Sequence, residues 1–432
     1  MAFSFGAGNV AKLARIPFYL VGRLATVLVP RTNDLWVFGC GIGIGDGALA
    51  LWNVAHDQGV RAIWLVGTTQ DEAEAQERGI PHLRKHSARG FWATARARVV
   101  VVTHGFGDVN RYALNGAYIV QLWHGIPLKR IGIDSPATVR VPAVPGAGLL
   151  RRLITLFYTQ TTRSIDLIPA ASHLVRGRLE SAFSLPDSAV PVTGEPRVDV
   201  LSQGDADQRR SHARAAIGAV VGGLPSAVSR LVLYAPTWRD GDRDPAVPSL
   251  ADWASIATVL NAQDAVLLIR SHPLGAGDYT PSPDLARTGR VRSLGSDLVR
   301  DATPLLPGLD ALVSDYSSMA FDASLVSLPV VFFAPDVDSY TADRGFYGTY
   351  EEVAGADYAT SWPEVADQLS RILSDSTERT QRAERSDHLS TRVHAFRDGR
   401  NALRVYERIA QDLHMSDPVP GRQAAPVVER KS

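Results

Sequence analysis

Short apolar runs alternate with helical stretches along the chain, and the whole alternation occurs twice. The runs that predict β-strands cover residues 34–38, 61–66, 99–103, 117–122, 231–234, 265–269, 311–313 and 330–333. Helical stretches follow at 48–58, 250–260 and 317–326. Strands that alternate with helices are typical of a parallel, doubly wound sheet. The repetition predicts an α/β fold with two Rossmann-like domains whose parallel sheets face each other across a central cleft.

Chain length and one polar segment predict the domain boundaries. At about 100–200 residues per domain, a chain of 432 residues is expected to form two domains. Segment 201–230 is polar, rich in Ala and Gly, and shows no strand signal, so it lies between the two halves. We expect a basic amphipathic segment at 1–33, Rossmann-like domains at 34–205 and 206–414, and a disordered tail at 415–432.

Charge and cysteine content exclude several classes of protein. The 45 basic and 45 acidic side chains cancel, so the chain has no global attraction for a nucleic-acid backbone. Any anionic ligand must be met by a local cluster of cations. Cys40 is the only cysteine, which excludes an intramolecular disulfide framework and a cysteine zinc cluster. These features predict a reducing, cytoplasmic setting and no nucleic-acid partner.

The first thirty residues are basic and apolar. They contain three cationic side chains and no acidic residue before Asp34, but Pro17, Gly22 and Arg23 interrupt the apolar run. The segment therefore fits neither a membrane-spanning helix nor a secretory signal. It is either an amphipathic segment on an anionic membrane surface or a packed N-terminal helix of the first domain. A second basic and apolar stretch at 149–158 favours the membrane.

A glycine-rich turn follows the first predicted strand. Gly43, Gly45 and Ala48 match the pattern G-x-G-x-x-A between a strand and a helix, as in dinucleotide-binding proteins. That fingerprint also needs an acidic residue about 20 positions further on, to hold the ribose. Asp71 comes too late for this role. An NAD-dependent oxidoreductase is thus an alternative, and the favoured interpretation is a tight turn whose backbone a substrate or the other domain can approach.

The sequence after the fourth predicted strand contains a candidate for acid–base chemistry. Residues 121–129 read QLWHGIPLK, and Gly125 and Pro127 force the chain around His124 into a loop. Imidazole titrates near neutral pH and can take a proton from a hydroxyl nucleophile. The compact charge of Lys129 suits a phosphate oxygen. The alternative for His124 is a histidine with a purely structural role.

Three strand ends in the second half carry groups that bind anions. Arg239 ends one strand, Arg270 and His272 end another, and Ser317 and Ser318 follow a third and begin a helix. Arginines and the free N–H groups of a helix start together predict a phosphate or pyrophosphate site. No aspartate cluster resembles a metal-binding D-x-D motif and no Walker loop appears, so we expect no metal and no cofactor. The cations themselves would neutralise the leaving group.

Five sequence segments together resemble those of one protein family. The matching segments are QLWHG with LK at 121–129, GEPRVD at 194–199, APTWR at 235–239, RSHP at 270–273 and SDYSSMAFD at 314–322. The last segment is the most specific, and the resemblance covers about residues 34–413. The chain resembles the CDP-glycerol glycerophosphotransferases, which are teichoic acid primases and polymerases.

This resemblance implies a GT-B-like fold, peripheral attachment to the cytoplasmic face of the cell membrane, and transfer of glycerol phosphate from CDP-glycerol to a lipid-linked acceptor with release of CMP. By the same resemblance the first domain binds the acceptor and the second the CDP-alcohol. It also implies that His124 is the catalytic base and His272 a second catalytic histidine. The implied substrate-binding residues are Lys129, Arg197, Arg239, Arg270, Asp315, Ser317, Ser318 and Asp322. The acceptor side would contain Gly43, Gly45 and Asp46, although family members usually have Asp-Asn where this chain has Asp46-Gly47.

Several alternatives stay open at this point. The same fold could use CDP-ribitol, another CDP-alcohol or a nucleotide sugar as donor. The other classes are the NAD-dependent oxidoreductase and a catalytically silent scaffold on the membrane surface. The acceptor is a lipid-linked glycan or polyol phosphate, and both a primase and a polymerase remain open, as does a homo-oligomer.

Overall fold

The computed structural model describes residues 16–136, 138, 147–225, 228–237, 239, 244–271 and 277–415. The predictions for His272, for residues 1–15 and for the tail beyond Met415 lie outside the described residues.

The first half forms a five-stranded parallel sheet. Its strands are β1 (Leu35–Phe38), β2 (Arg61–Val66), β3 (His82–Arg84), β4 (Val99–Val102) and β5 (Tyr118–Gln121). The strand order across the sheet is β3-β2-β1-β4-β5. The central strands β1 and β4 are buried along their whole length. Such burial is typical of a parallel sheet whose two faces are both covered by helices.

The second half repeats this topology. Its strands are β6 (Arg230–Ala235), β7 (Ala265–Ile269), β8 (Val291–Ser293), β9 (Ala311–Ser314) and β10 (Val330–Phe332), and their order is β10-β9-β6-β7-β8. All pairs in both sheets are parallel. The eight predicted strands are confirmed. The two additional strands, β3 and β8, have three residues each, lie at sheet edges and are only partly buried, so they lack the apolar run that identified the others.

Fifteen α-helices connect these strands within the described residues. They are α1 (Ile16–Leu28), α2 (Asp46–Asp57), α3 (Thr69–Glu77), α4 (Ala88–Arg96), α5 (Ala147–Thr162), α6 (His173–Phe183), α7 (Ala206–Val220), α8 (Leu250–Ala262), α9 (Pro283–Thr288), α10 (Met319–Ser324), α11 (Val337–Asp343), α12 (Glu351–Ala354), α13 (Trp362–Ser374), α14 (Ser376–Val393) and α15 (Asn401–Asp412). Short 3₁₀ turns also occur, and the one at Pro196–Leu201 lies between the two halves of the sequence.

The last helix returns to the first sheet. Val405, Tyr406 and Ile409 of α15 belong to the same buried cluster as Trp36 of β1. The rings of Trp36 and Tyr406 have centroids 5.8 Å apart. The segment predicted to end the second domain therefore packs on the first half, and the domain ranges themselves stay a prediction.

Helix α1 packs on the first half and also exposes apolar side chains. A side chain at Gly22 would clash with the backbone carbonyl of Tyr112, so this glycine permits close packing. Leu24, Val27 and Leu28 of the same helix are exposed, with Leu28 at 76%. Within the described residues, no helix has both the length and the apolar content that spanning a bilayer requires.

Candidate active site

Two histidines follow neighbouring strands at the carboxyl edge of the first sheet. His104 follows β4 and His124 follows β5, and their rings stack with centroids 4.4 Å apart and planes inclined by 5°. Nδ1 of His124 lies 3.4 Å from the carbonyl oxygen of Thr103. A carbonyl only accepts hydrogen bonds, so Nδ1 carries the proton and Nε2 keeps its lone pair. Burial, with His104 adding to it, lowers the pKa of His124 well below its ordinary value, which favours the neutral imidazole.

The backbone around His124 is held in an uncommon conformation. Trp123 has a φ of 62°, in the left-handed region that bulky residues rarely adopt. The ring of Trp123 lies 4.2 Å from that of His124 and 5.0 Å from that of Phe183, measured between centroids. Gly125 has a φ of 129°. This local strain fixes the direction in which His124 leaves the strand.

The serines of the second half reach the same place. A Cβ added at Gly125 would lie 2.7 Å from Oγ of Ser318, so glycine is required for this close approach. Ser317 Oγ accepts a hydrogen bond from the N–H of Met319, the first residue of α10, at 3.2 Å, whereas Ser318, the N-cap residue, makes no side-chain capping hydrogen bond. The structure thus brings the loop that carries His124 close to Ser318 of the second half.

Arg197 joins the two halves beside these groups. Its Nε donates to Oδ1 of Asp46 at 3.2 Å, and its Nη1 donates to Oδ1 of Asp322 at 2.6 Å. Its Nη2 donates to Oγ1 of Thr303 at 3.1 Å. The Arg197 side chain is 13% exposed, and both carboxylates are more deeply buried. Burial raises the pKa of Asp46 and of Asp322, and Arg197 opposes that rise in both cases.

Glu195 is a buried acid next to this cluster. It is 2% exposed, and its Oε2 has no hydrogen-bond partner among the described residues. Burial raises the pKa of Glu195 to about 8, Asp322 and Asp46 raise it as well, and Arg197 lowers it. Glu195 is therefore mostly protonated at neutral pH, which avoids a third negative charge beside Asp46 and Asp322.

The glycine-rich turn receives an arginine of the second half. Gly43 has a φ of 97°, and a Cβ there would clash with Nη1 of Arg300. Arg300 Nη1 donates to the carbonyl oxygen of Ile42 and to Oδ1 of Asp71. At Gly45 a Cβ would meet only ordinary contacts, the nearest being Ile42 Cδ1 at 3.5 Å. The turn thus admits the other half of the protein, as the favoured interpretation of the sequence expected.

The two arginines predicted to bind phosphate have internal partners. Arg270 donates to the carbonyl oxygens of Leu294, Val299 and Arg300 at 3.1, 2.7 and 2.9 Å. Arg270 therefore holds the loop that carries Arg300. A direct contact between Arg270 and a phosphate stays a prediction, and it would require exchange of these partners.

Arg239 is enclosed by acids and rings. Its Nε donates to Oδ2 of Asp336 at 2.8 Å, and its Nη2 lies 2.9 Å from Oδ2 of Asp315. The guanidinium also lies over the rings of Tyr316 and Tyr340, at 5.0 and 5.1 Å from their centroids. The side chain is 6% exposed. The contact of Arg239 with a phosphate stays a prediction. In this structure Arg239 holds the carboxylates of Asp315 and Asp336 in place.

Lys129 reaches from the first half into this aromatic cluster. Its Nζ donates to the hydroxyl of Tyr340 at 3.3 Å, and its backbone pairs with Phe346 in an isolated antiparallel bridge. Burial lowers the pKa of Lys129 to about 8, and Asp315 opposes that shift. An ammonium group has three donor hydrogens. With one of them used by Tyr340, Lys129 can still donate to an anionic ligand.

One group of side chains has the composition of a metal site. Cys40, Asp46 and His104 each have a potential ligand atom, and these atoms lie within 4.8 Å of one another. Thr103 Oγ1 lies 3.3 Å from Cys40 Sγ, and Arg197 and the N–H of Gly47 donate to Asp46. Burial and Asp46 raise the pKa of the Cys40 thiol, which disfavours the thiolate that binds metals. We assign no metal to this group, and the expectation of a metal-free reaction stays a prediction.

The chain matches a known protein family. The sequence pattern of the family described as CDP-Glycerol:Poly(glycerophosphate) glycerophosphotransferase matches residues 42–411. The chain belongs to this family. The resemblance found in the sequence motifs is therefore confirmed, as is the expectation of a transferase enzyme of teichoic acid synthesis.

Relatives of this glycerophosphotransferase include enzymes for two polyol phosphates. The teichoic acid glycerol-phosphate transferase of Staphylococcus aureus is 26% identical over 309 residues, which cover 69% of this chain and 72% of that protein. The teichoic acid poly(glycerol phosphate) polymerase of Bacillus subtilis is 25% identical over 324 residues, or 72% of this chain and 40% of the polymerase. The chain thus spans less than half of that larger relative. Ribitol-phosphate polymerases and a primase also match, at 23% to 25% identity.

Solved structures confirm the fold of this family member. The structure of the wall teichoic acid polymerase TagF superimposes with a TM-score of 0.71, at 22% identity, over 93% of this chain and 93% of that one. The predicted GT-B-like arrangement of two Rossmann-like domains is therefore correct.

His104 and Arg300 belong to the site, but we did not predict them from the sequence. A signal for His104 was present, because Thr103-His104-Gly105 follows β4 just as Trp123-His124-Gly125 follows β5. No comparable signal marks Arg300. Its position depends on Arg270 and on the approach of the two halves.

We predict that Arg197→Met lowers the stability of the glycerophosphotransferase by about 3–5 kcal/mol at pH 7, because it leaves Asp46 and Asp322 buried without their cation. The folded-state pKa values of these carboxyls, already raised by burial, would rise further. The deficit should therefore shrink as the pH falls and the carboxyls become protonated. Urea unfolding at pH 7 and pH 5 measures this, and Arg78→Met, which removes a surface ion pair with Glu74, is the control with an expected change of about 0–1 kcal/mol. Equal losses for both variants would contradict the prediction.

Proposed function

We propose that this protein transfers glycerol phosphate from CDP-glycerol to a hydroxyl group of a lipid-linked saccharide or polyol-phosphate acceptor and releases CMP. The observation that carries the proposal is the close approach of Gly125, in the loop that carries His124, to Ser318 across the two halves. In the sequence these groups belong to the motifs of the family. CDP-ribitol is the closest alternative donor, because several relatives are ribitol-phosphate enzymes.

Glycerol phosphate is favoured by the family description and by the S. aureus glycerol-phosphate transferase, which this chain matches over most of both lengths. A histidine variant of TagF, solved after a soak with CDPG, further supports a cytidine diphosphate donor. The nucleotide-sugar alternative is disfavoured by the same comparisons. The NAD alternative is disfavoured because the acidic residue that would hold the ribose is missing about 20 positions after the glycine-rich turn.

In the proposed reaction, the acceptor oxygen attacks the phosphorus atom that carries glycerol. A new phosphorus–oxygen bond forms, the bond to the CMP oxygen breaks in line, and CMP leaves with the bonding electron pair. The acceptor hydroxyl gives its proton to Nε2 of His124, which is neutral because burial lowers its pKa. Lys129 is the cation that we propose for the donor phosphates, since part of its donor capacity is free. His272 is proposed to assist the leaving group, from outside the described residues.

The arginines then act mainly through other groups. Arg270 fixes the loop that carries Arg300, and Arg239 fixes Asp315 and Asp336. Asp315 in turn accepts from the N–H and the hydroxyl of Thr237. In this proposal the substrate-binding set works as a preorganised frame around the phosphates.

We predict that His124→Gln lowers kcat by about 10²–10⁴-fold, the usual contribution of a general base, with little change in the Kd of CDP-glycerol. Radiolabelled glycerol-phosphate transfer measures kcat, and calorimetry measures the Kd. His82→Gln at the edge strand of the same sheet is the matched control and should retain activity. Turnover close to that of the natural protein would remove His124 from the mechanism.

A donor panel tests the function as a whole. With a lipid-linked disaccharide as acceptor, we expect release of CMP from CDP-glycerol at a higher kcat/KM than from CDP-ribitol, and no release of UMP or UDP from nucleotide sugars. A preference for CDP-ribitol would change the donor and keep the reaction class. Binding to liposomes without nucleotide release from any donor would support the silent scaffold instead.

We further propose that the protein attaches peripherally to the cytoplasmic face of the membrane. Leu24, Val27 and Leu28 are spaced at i, i+3 and i+4 and are exposed on α1. Helix α5 exposes Leu149, Leu153, Leu156 and Phe157 on one face, and the exposed Arg152 flanks that face. Apolar faces with neighbouring cations suit an anionic bilayer surface.

We predict that the pair Leu24→Glu and Val27→Glu, and separately the pair Leu156→Glu and Phe157→Glu, reduces flotation with anionic liposomes. All four side chains are exposed, so both variants should fold and release CMP with a soluble acceptor analogue. Leu250→Glu changes another exposed leucine, 79% exposed at the start of α8, and serves as the control. Undiminished flotation of both double variants would refute these faces as the attachment surface.

A further inference from the structure

We propose that His104 is a positioning residue for this reaction: it stacks on His124 and takes the proton that the histidine pair binds, so that His124 stays neutral as the base. This inference rests on the proposed role of His124. It adds a residue that lies outside the sequence segments from which the resemblance to the family was inferred.

The geometry couples the two rings through Thr103. The carbonyl oxygen of Thr103 faces Nδ1 of His124 at 3.4 Å, and Oγ1 of Thr103 lies 2.8 Å from Nδ1 of His104. The rings are nearly parallel at 4.4 Å. Both imidazoles are therefore held by one fully buried residue, and neither can turn without losing its hydrogen bond.

Two stacked imidazolium ions at this distance would repel each other strongly. The pair therefore binds its second proton at a clearly lower pH than its first. The charged groups that act on His104 are Asp108, Asp46 and Arg197. Those that act on His124 are His104 and Arg197. The two carboxylates act on His104 and favour its protonation, whereas the charges that act on His124 are all positive.

Thr103 also provides a place for the proton. When His104 is neutral, the Thr103 hydroxyl can donate to its Nδ1. When His104 is cationic, Nδ1–H donates to Thr103 Oγ1, and the hydroxyl hydrogen can turn to Oδ2 of Asp108 at 3.3 Å. The same carboxylate oxygen accepts the backbone N–H groups of Thr103 and His104 at 2.9 and 2.7 Å. A short chain of hydrogen bonds thus links a cationic His104 to a fixed, buried carboxylate.

The pKa directions agree with this geometry. Burial lowers the pKa of His104, and Asp108 and Asp46 oppose the fall. Burial lowers the pKa of His124 too, with His104 and Arg197 adding to the effect. Removal of the charge at His104 should therefore raise the pKa of His124. Because the active form is the neutral base, activity would then begin at a higher pH.

The test uses His104→Phe, which keeps a flat ring against His124 and removes the proton site. We expect the acid limb of the kcat/KM profile for CDP-glycerol to move to higher pH, with kcat on the alkaline plateau within a few-fold of the natural enzyme. Thr103→Val should move the limb in the same direction and by less. The control His82→Phe should leave the limb unchanged. A uniform loss of activity at all pH values would mean a merely structural role and would overturn the proposal.

A second measurement is independent of turnover. In protein labelled with ¹³C-histidine, the Cε1–H signal of His124, assigned with His124→Gln, should titrate at higher pH in His104→Phe than in the natural protein. An unchanged titration would overturn the proposal even if activity were lost. If His124→Gln had full activity, His124 would not be the base. The NMR titration would still show whether His104 lowers the pKa of His124. His104→Asn carries the same expectation if the phenylalanine variant does not fold.

Discussion

The contact of Arg197 with Asp46 and Asp322 is the interaction on which the closed site depends. It joins the start of α2 in the first half to α10 in the second. A buried cation between two buried carboxylates is strongly favoured over either charge alone, and its three directional bonds allow few relative positions of the halves. The close approaches of Gly125 to Ser318 and of Gly43 to Arg300 occur in the same interface. Glu195 is kept mostly neutral beside these three charges, because a third carboxylate charge would repel Asp46 and Asp322.

The arginines and the lysine of the site differ in how many of their donors are used within the protein. From the sequence, Arg239 and Arg270 looked like phosphate ligands because each ends a strand at the cleft. In the folded protein, Arg270 binds three backbone carbonyls and Arg239 binds Asp315 and Asp336. Guanidinium groups suit such fixed, multidentate contacts. The flexible ammonium group of Lys129 keeps free donors, so it is better suited to meet a charged substrate that arrives and leaves.

The central strands, the repeat and the His124 loop could be predicted because each has a local cause. Apolar runs such as Val99–Val102 are buried on both faces, and Gly125 and Pro127 force a loop at a strand end. The edge strands β3 and β8 could not be found, since three half-buried residues leave no pattern. The pairing of Arg197 with Asp46 spans 151 positions in the sequence, and no local pattern encodes it. His104 could have been found, because it repeats the His-Gly end of the next strand.

Backbone strain explains why those two histidines meet at all. The register of β4 and β5 pairs Val102 with Gln121, so a regular continuation would put His104 beside Trp123. The left-handed conformation of Trp123, with a φ of 62°, turns the chain by one residue and brings His124 onto His104 instead. Such a conformation costs of order 1–3 kcal/mol in a residue other than glycine. Contacts of the Trp123 ring with Phe183 and with His124 itself can offset that cost. The Trp123 side chain thus stabilises the turn that brings the two imidazoles together.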